Sequence, residues 1–143
     1  MLRYKDLVLG EGVMVGGYLY VAIFSNITKV TGKKGGAIKS MGDDSSQFQM
    51  DAVVQAGNSG GPTYDENGNI VGVIILQLNR LKVAKALGSL PENVNFGNKA
   101  STERQFMTSA GLPTKWSNRS ERWSTKDLVQ IAKHQTVMVV CNP

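Results

Sequence analysis

Gly57-Asn58-Ser59-Gly60-Gly61-Pro62 places one small hydroxyl among three glycines, after an apolar run and before a turn. Glycine is used where the backbone needs a positive φ or a close approach to another group. A serine on such a tight loop is accessible, and the N–H groups beside it can point at one position. An oxyanion hole needs this layout, because its donors face the charge that develops when a serine attacks a carbonyl. The loop therefore predicts Ser59 as a nucleophile for acyl transfer, with the Gly57 and Ser59 N–H groups as the oxyanion hole.

Two other interpretations of a G-x-S-x-G pattern are an ordinary turn and the nucleophile elbow of the α/β-hydrolases. The elbow requires a helix directly after the serine. Here Pro62 follows at once, and the turn sequence Asp65-Glu66-Asn67-Gly68 comes next, so no helix begins. The elbow is excluded, and the ordinary turn remains the alternative to a catalytic loop.

The serine loop and its flanks resemble the trypsin-like (chymotrypsin-fold) serine peptidases, in particular the bacterial HtrA/Deg-like branch without disulfides. The resemblance covers residues 7–112 and rests on the loop together with residues 48–52, 68–73 and 93–96. It implies the second, C-terminal barrel of that fold, an antiparallel six-stranded Greek-key barrel that hydrolyses peptide bonds in proteolysis. The His and Asp of the family lie on a first β-barrel, which this chain does not contain. The resemblance also implies a periplasmic or secreted protein.

The spacing of short apolar segments agrees with an all-β barrel over residues 1–112, since strands and turn signals alternate regularly. Residues 7–24 alternate with a period of two and contain glycines, which indicates a hairpin over residues 13–24 and no membrane span or signal peptide. Asn67-Gly68 predicts a hairpin turn between residues 62–64 and 70–78. Residues 47–54 are expected to form the strand that leads into the serine loop.

Residues 113–143 are predicted to form a linker, a helix and a terminal strand, and thus a C-terminal helical tail. Ser101 is expected to cap a first helix that reaches Ala110, with Gly111 ending it. Ser124 and Asp127 form a capping-box pattern for a second helix to His134. The apolar run from residue 136 to Cys141 predicts a last strand in which the cysteine is packed.

The composition and charge of the chain argue against nucleic-acid binding, disulfide bonding and metal or cofactor sites. The chain has 143 residues with a net charge of +5, and from Arg80 onward ten Lys/Arg face four Asp/Glu. A basic surface without a recognition motif favours solvated charge over nucleic-acid binding. One cysteine permits no intrachain disulfide. The loop carboxylates Asp43-Asp44 and Asp65-Glu66 lack His or Cys partners, so we expect no metal and no cofactor.

The catalytic base is the open question of the sequence. His134 is the one histidine, and a histidine at the end of a helix is usually a favourable dipole partner. Two accounts fit: a fragment whose His and Asp come from a first β-barrel, or a non-catalytic barrel that binds peptides or serves as an assembly module. In both accounts the ligand is a peptide or an unfolded protein. In the fragment account the inter-barrel face is exposed, which would favour self-association.

The resemblance also implies a substrate pocket. The residue six before the serine, Val53, becomes its floor, with Ile74 and Leu76 on one wall and Asn95 on the other. This lining carries no charge and is expected to select small or medium apolar side chains over Lys and Arg. Asn58 replaces an aspartate that pairs with a new N-terminal ammonium in many relatives, and an amide cannot form that ion pair. The polar Gly97-Asn98 and Ala56 are two further departures from the family pattern.

Overall fold

A computed structural model describes residues 1–18, 30–31, 45–52, 54, 57–75, 85, 88, 95–139 and 141. In this part of the chain eight strands and two helices are seen. The strands are β1 (Leu2–Arg3), β2 (Val13–Val15), β3 (Val30–Thr31), β4 (Gln47–Met50), β5 (Pro62–Asp65), β6 (Ile70–Ile75), β7 (Asn95–Lys99) and β8 (Trp116–Ser117). The helices are α1 (Ala100–Ser109) and α2 (Thr125–Gln135).

The strands form one mixed sheet in the order β3-β2-β5-β6-β1-β8, and β7 joins β6 to β4. Most pairs are antiparallel, but β1 runs parallel to both β6 and β8. The expectation of a purely antiparallel sheet is therefore wrong, because the chain returns in the same direction at Leu2, Ile70 and Trp116. Closure into a six-stranded barrel is not seen among the described residues.

The hairpin at Asn67-Gly68 is confirmed. Gly68 has φ +76, and its N–H donates to the carbonyl of Asp65. The Asp65 carboxylate accepts bonds from the N–H groups of Asn67 and Asn69 at 2.9 and 2.8 Å. This turn sets the register of β5 and β6, which carry the serine loop at their far end.

Strand β2 is buried on both faces. Val13 and Val15 belong to the main core, whereas Met14 points to the opposite side and packs against Tyr64 and α2. Successive side chains of a strand alternate between faces, so the apolar triplet requires cover on both sides. The predicted hairpin partner at residues 19–24 lies outside the described residues, and β2 pairs with β3 and β5.

Strand β4 ends at Met50 and not at Val54. The side-chain Nδ2 of Asn95 donates to the carbonyl of Ala52 at 2.7 Å, and this contact lies beyond the last ladder pair, Met50 with Asn95.

Strand β7 continues through Gly97-Asn98 despite their polarity. Gly97 lies against the ring of Phe48, where a Cβ would stand 2.7 Å from Cζ, so glycine makes room for the aromatic core.

Helix α1 begins one residue before the predicted cap. Its N-cap is Lys99 and not Ser101, and Lys99 makes no side-chain cap bond. The helix starts here because β7 ends at Lys99 and leads into it without a loop. The Lys99 N–H and the Thr102 hydroxyl both donate to the carbonyl of Ser46, which fixes this junction. The end at Gly111, with φ +69, is as predicted.

Helix α2 matches its prediction, since Ser124 is the N-cap and accepts from the Asp127 N–H. The other predictions for the tail are corrected. Part of the expected polar linker, Trp116–Ser117, is strand β8. Residues 136–139 and 141 are not in a strand, and Cys141 is exposed. Val137 and Val139 are 76% and 86% exposed. An apolar run forms a strand only where neighbouring strands can pack against it.

Candidate active site

The serine loop is a tight turn with two glycines in the left-handed region. Gly57 has φ +100 and Gly60 has φ +80, a conformation that side chains with a Cβ rarely adopt. Ser59 lies between them and is exposed, as is Gly57. The geometry presents the hydroxyl to solvent at the tip of the loop.

Backbone hydrogen bonds fix the loop to β6. The Gly60 N–H donates to the carbonyl of Ile74 at 2.9 Å, and the Ile74 N–H donates to the carbonyl of Gly61 at 2.9 Å. Within the loop, the Gly61 N–H donates to the carbonyl of Asn58 at 2.8 Å. Among the described residues, no backbone carbonyl accepts a hydrogen bond from the N–H of Gly57 or of Ser59.

Asn58 is fully buried beside the exposed serine. Its side-chain Nδ2 and Oδ1 make no hydrogen bond to any residue that the structure describes. A Cβ on Gly17 would stand 2.7 Å from Asn58 Oδ1, so the amide packs closely against the segment after β2. The sequence shows that the side chain at position 58 is uncharged, but no sequence pattern indicates how it packs.

The predicted substrate pocket is only partly visible. Val53 and Leu76 lie outside the described residues. Ile74 is buried in the main core, and Asn95 is buried with its amide donating to Ala52. The pocket lining therefore stays a prediction.

His134 lies on the exposed surface near the end of α2. It lines a groove of about 570 Å³ together with residues of α2 and of the segment before it, among them Trp123, Asp127 and Gln135. Both Ser59 and His134 are described, and no hydrogen bond joins them. The structure does not pair the serine with the one histidine of the chain.

An ion-pair cluster around Arg3 and the buried Tyr64 contain titratable groups whose pKa is shifted. Arg3 makes a bidentate contact of 2.9 Å with Glu11 and lies 3.6 Å from Asp65. The hydrogen bond to Glu11 raises the pKa of Arg3 despite burial. Burial raises the pKa of Glu11, but the bonds from Arg3 and the Val8 N–H outweigh it and lower that pKa overall. Burial raises the pKa of Tyr64 to about 12.

Arg104 of α1 joins the helix to the β1 and β8 edge. Its guanidinium lies 5.7 Å from the centre of the Tyr4 ring and 4.7 Å from that of Trp116. These rings meet edge to face. Cation–π contacts of this kind stabilise a fold modestly, and no local sequence pattern predicts this one.

Within the described ranges, no group of three or more His, Cys, Asp or Glu side chains is placed to hold a metal ion. In the same ranges, neither helix has the length and apolar character needed to cross a bilayer.

Comparison with known proteins shows the fold. The chain is similar to the crystal structure of Rv3671c protease in an inactive form, with a TM-score of 0.55 and 20% identity, over 78% of this chain and 53% of that one. A serine-to-alanine mutant of Rv3671c from M. tuberculosis H37Rv, also in an inactive form, gives a TM-score of 0.53 and 19% identity over 80% and 53%. The chain thus has a protease-like fold of the chymotrypsin-like kind, and the described residues are mostly β with helices α1 and α2.

Among curated proteins, the chain is 32% identical over 133 residues to the uncharacterized protein y4bJ of Sinorhizobium fredii (strain NBRC 101917 / NGR234). The match covers 93% of this chain and 21% of y4bJ. The chain therefore spans about a fifth of the curated relative and about half of the solved structures. No protein-family profile matches it.

Proposed function

We propose that this chain is the serine-bearing part of a bacterial trypsin-like serine endopeptidase of the HtrA/Deg type. Ser59 is the nucleophile of an acyl-transfer reaction, and the N–H groups of Gly57 and Ser59 bind the oxyanion. One observation carries the proposal: Ser59 is exposed between two left-handed glycines on a loop tied to β6 by backbone hydrogen bonds. The protease-like fold supports it.

In this proposal, the general base that takes the Ser59 proton comes from outside this chain. A serine hydroxyl is a weak nucleophile until a base takes its proton, and the exposed His134 makes no hydrogen bond to Ser59. A first β-barrel that supplies His and Asp completes the site. The family resemblance also supports a periplasmic or secreted location and an unfolded protein or peptide as substrate.

The test is hydrolysis of a peptide ester by the chain alone and by the chain assembled with a first barrel that carries His and Asp. We expect turnover only in the assembled protein, and we expect Ser59→Ala to abolish it. Ser120→Ala is the matched control, because Ser120 is also an exposed loop serine. Turnover that survives Ser59→Ala but not Ser120→Ala would overturn the assignment.

The second candidate function is a non-catalytic assembly module. It is favoured by the exposed apolar side chains that follow α2, Val137 and Val139. Sedimentation of the isolated chain distinguishes this role: concentration-dependent association that the double change Val137→Ser, Val139→Ser removes supports it, whereas a monomer at every concentration contradicts it.

A further inference from the structure

Helix α2 is anchored on the sheet that carries the serine loop. Leu128 and Ala132 pack with Met14 and Tyr64 in a buried cluster. The Tyr64 hydroxyl also donates to Oε1 of Gln135 at 3.1 Å. The last turn of α2 is thus fixed over β5, the strand into which the loop leads, and over its neighbour β2.

Gly16 is the residue between the end of α2 and the loop. On one side, a Cβ at Gly16 would lie 3.2 Å from Oγ1 of Thr136 and 3.3 Å from Cβ of Ala132. On the other side, the Gly16 N–H donates to the carbonyl of Pro62 at 2.9 Å, and its carbonyl oxygen lies against the α-carbon of Gly61. A methyl group at Gly16 would require its neighbours to give way by a few tenths of an ångström, whereas a side chain at Gly61 would collide with the Gly16 carbonyl.

Gly17 extends this contact to the residue before the nucleophile. A Cβ on Gly17 would stand 2.7 Å from Oδ1 and 3.1 Å from Cα of Asn58. The Asn58 amide has no hydrogen-bond partner in the described part of the chain, so its contact with Gly17 is one of close packing. Asn58 in turn sets where Ser59 lies.

We propose that the C-terminal end of α2 is a positioning element for the serine loop, and that it acts through Gly16 and Gly17. The helix holds these glycines against Asn58 and Gly61, so the loop keeps one conformation. The importance of this support for catalysis rests on the proposed function, but the support itself does not. Residues of α2 are positioning residues here, because none of them touches the reacting atoms.

Amide hydrogen exchange of the full chain tests the proposal without any need for activity. Gly16→Ala adds one methyl between Ala132 and the loop. We expect it to speed exchange of the Gly60 and Gly61 amides by on the order of tenfold, while the amides that join β4 to β7 change little, since local opening is independent of global unfolding. Adding Ala132→Gly to this variant removes the opposing methyl and is expected to restore most of the protection.

Two outcomes overturn the proposal. One is equal acceleration of the loop amides and the β4–β7 amides, which indicates general destabilisation. The other is a double variant that exchanges as fast as Gly16→Ala alone. If Gly16→Ala does not fold, Ala132→Leu replaces it, with Lys133→Leu on the exposed side of the same turn as control; only Ala132→Leu is expected to expose the loop amides. If protection behaves as expected and the assembled protein still hydrolyses nothing, the proposed function fails and the positioning role stands.

Discussion

The N–H of Gly60 donates to the carbonyl of Ile74 at 2.9 Å, so the residue after Ser59 is tied directly to strand β6. The bond requires Gly60 to keep φ +80, and a Cβ there would meet no atom within 4 Å. The conformation of the backbone, and not the available space, is therefore what demands glycine at this position.

Gly60→Ala should lower the free energy of unfolding by about 1–2 kcal/mol, the usual cost of a left-handed conformation for a residue with a Cβ. Gly60→Asn should lower it less, because asparagine tolerates this region better. Urea unfolding of the three proteins measures both. Equal stability of the alanine variant and the parent protein would show that the loop adopts another backbone conformation in solution.

The isolated chain should not hydrolyse peptide substrates. Loss of triad members lowers rates by on the order of 10⁴–10⁶, and Ser59 makes no hydrogen bond to His134. A sensitive fluorogenic peptide assay checks this. Measurable turnover that disappears both in Ser59→Ala and in His134→Ala contradicts the expectation and makes His134 the base.

Stability should fall as the pH rises through the range from about 10 to about 12. Burial raises the pKa of Tyr64 from 10.0 to about 12, so the folded chain binds the phenol proton more tightly than the unfolded chain does. The stabilisation is complete below pH 10 and is lost as the pH passes the folded pKa.

Tyr64→Phe isolates this contribution. It removes the bond to Gln135, at a cost of about 1 kcal/mol, and should flatten the decline of stability between pH 10 and 12. Tyr4→Phe is the control, because Tyr4 is exposed. The two variants are compared by urea unfolding along a pH series. Identical slopes for both would contradict the assignment to Tyr64.

Cleavage after small or medium apolar residues should be preferred, with cleavage after Lys or Arg disfavoured. A cationic side chain in a pocket with Val53 at its floor loses its hydration without gaining a partner. One methylene changes selectivity by about 1–3 kcal/mol, so the preference should be graded. A peptide library treated with the assembled protein measures it. A dominant cut after Lys or Arg would mean that Val53 is not the floor.

Local signals in the sequence predicted local structure well. Asn67-Gly68 predicted the β5–β6 hairpin, and the turn lies between Asp65 and Ile70 with Gly68 in the left-handed conformation. Ser124 and Asp127 specified the start of α2, because the serine side chain accepts the Asp127 N–H. The glycines of the serine loop likewise predicted a tight, accessible turn, and Gly57 and Gly60 do adopt positive φ.

Long-range relationships could not be predicted in this way. The parallel pairing of Leu2 with Trp116 involves two-residue strands, which are too short to show any periodicity. The packing of α2 on Gly16 depends on tertiary contacts between residues more than 100 positions apart, and no local pattern records them. The predicted terminal strand was wrong for the same reason, since an apolar run alone does not provide a neighbouring strand.

The most direct test of the central claim is the site of covalent modification by a serine-directed organophosphonate. The chain, assembled with a first barrel that carries His and Asp, is treated with the reagent, and the adduct is located by mass spectrometry. The account predicts one adduct per chain, on Ser59, which forms far more slowly without the first barrel and is absent in Ser59→Ala. An adduct on any other residue, or an unmodified Ser59 in the assembled protein, would contradict the claim that Ser59 is the nucleophile.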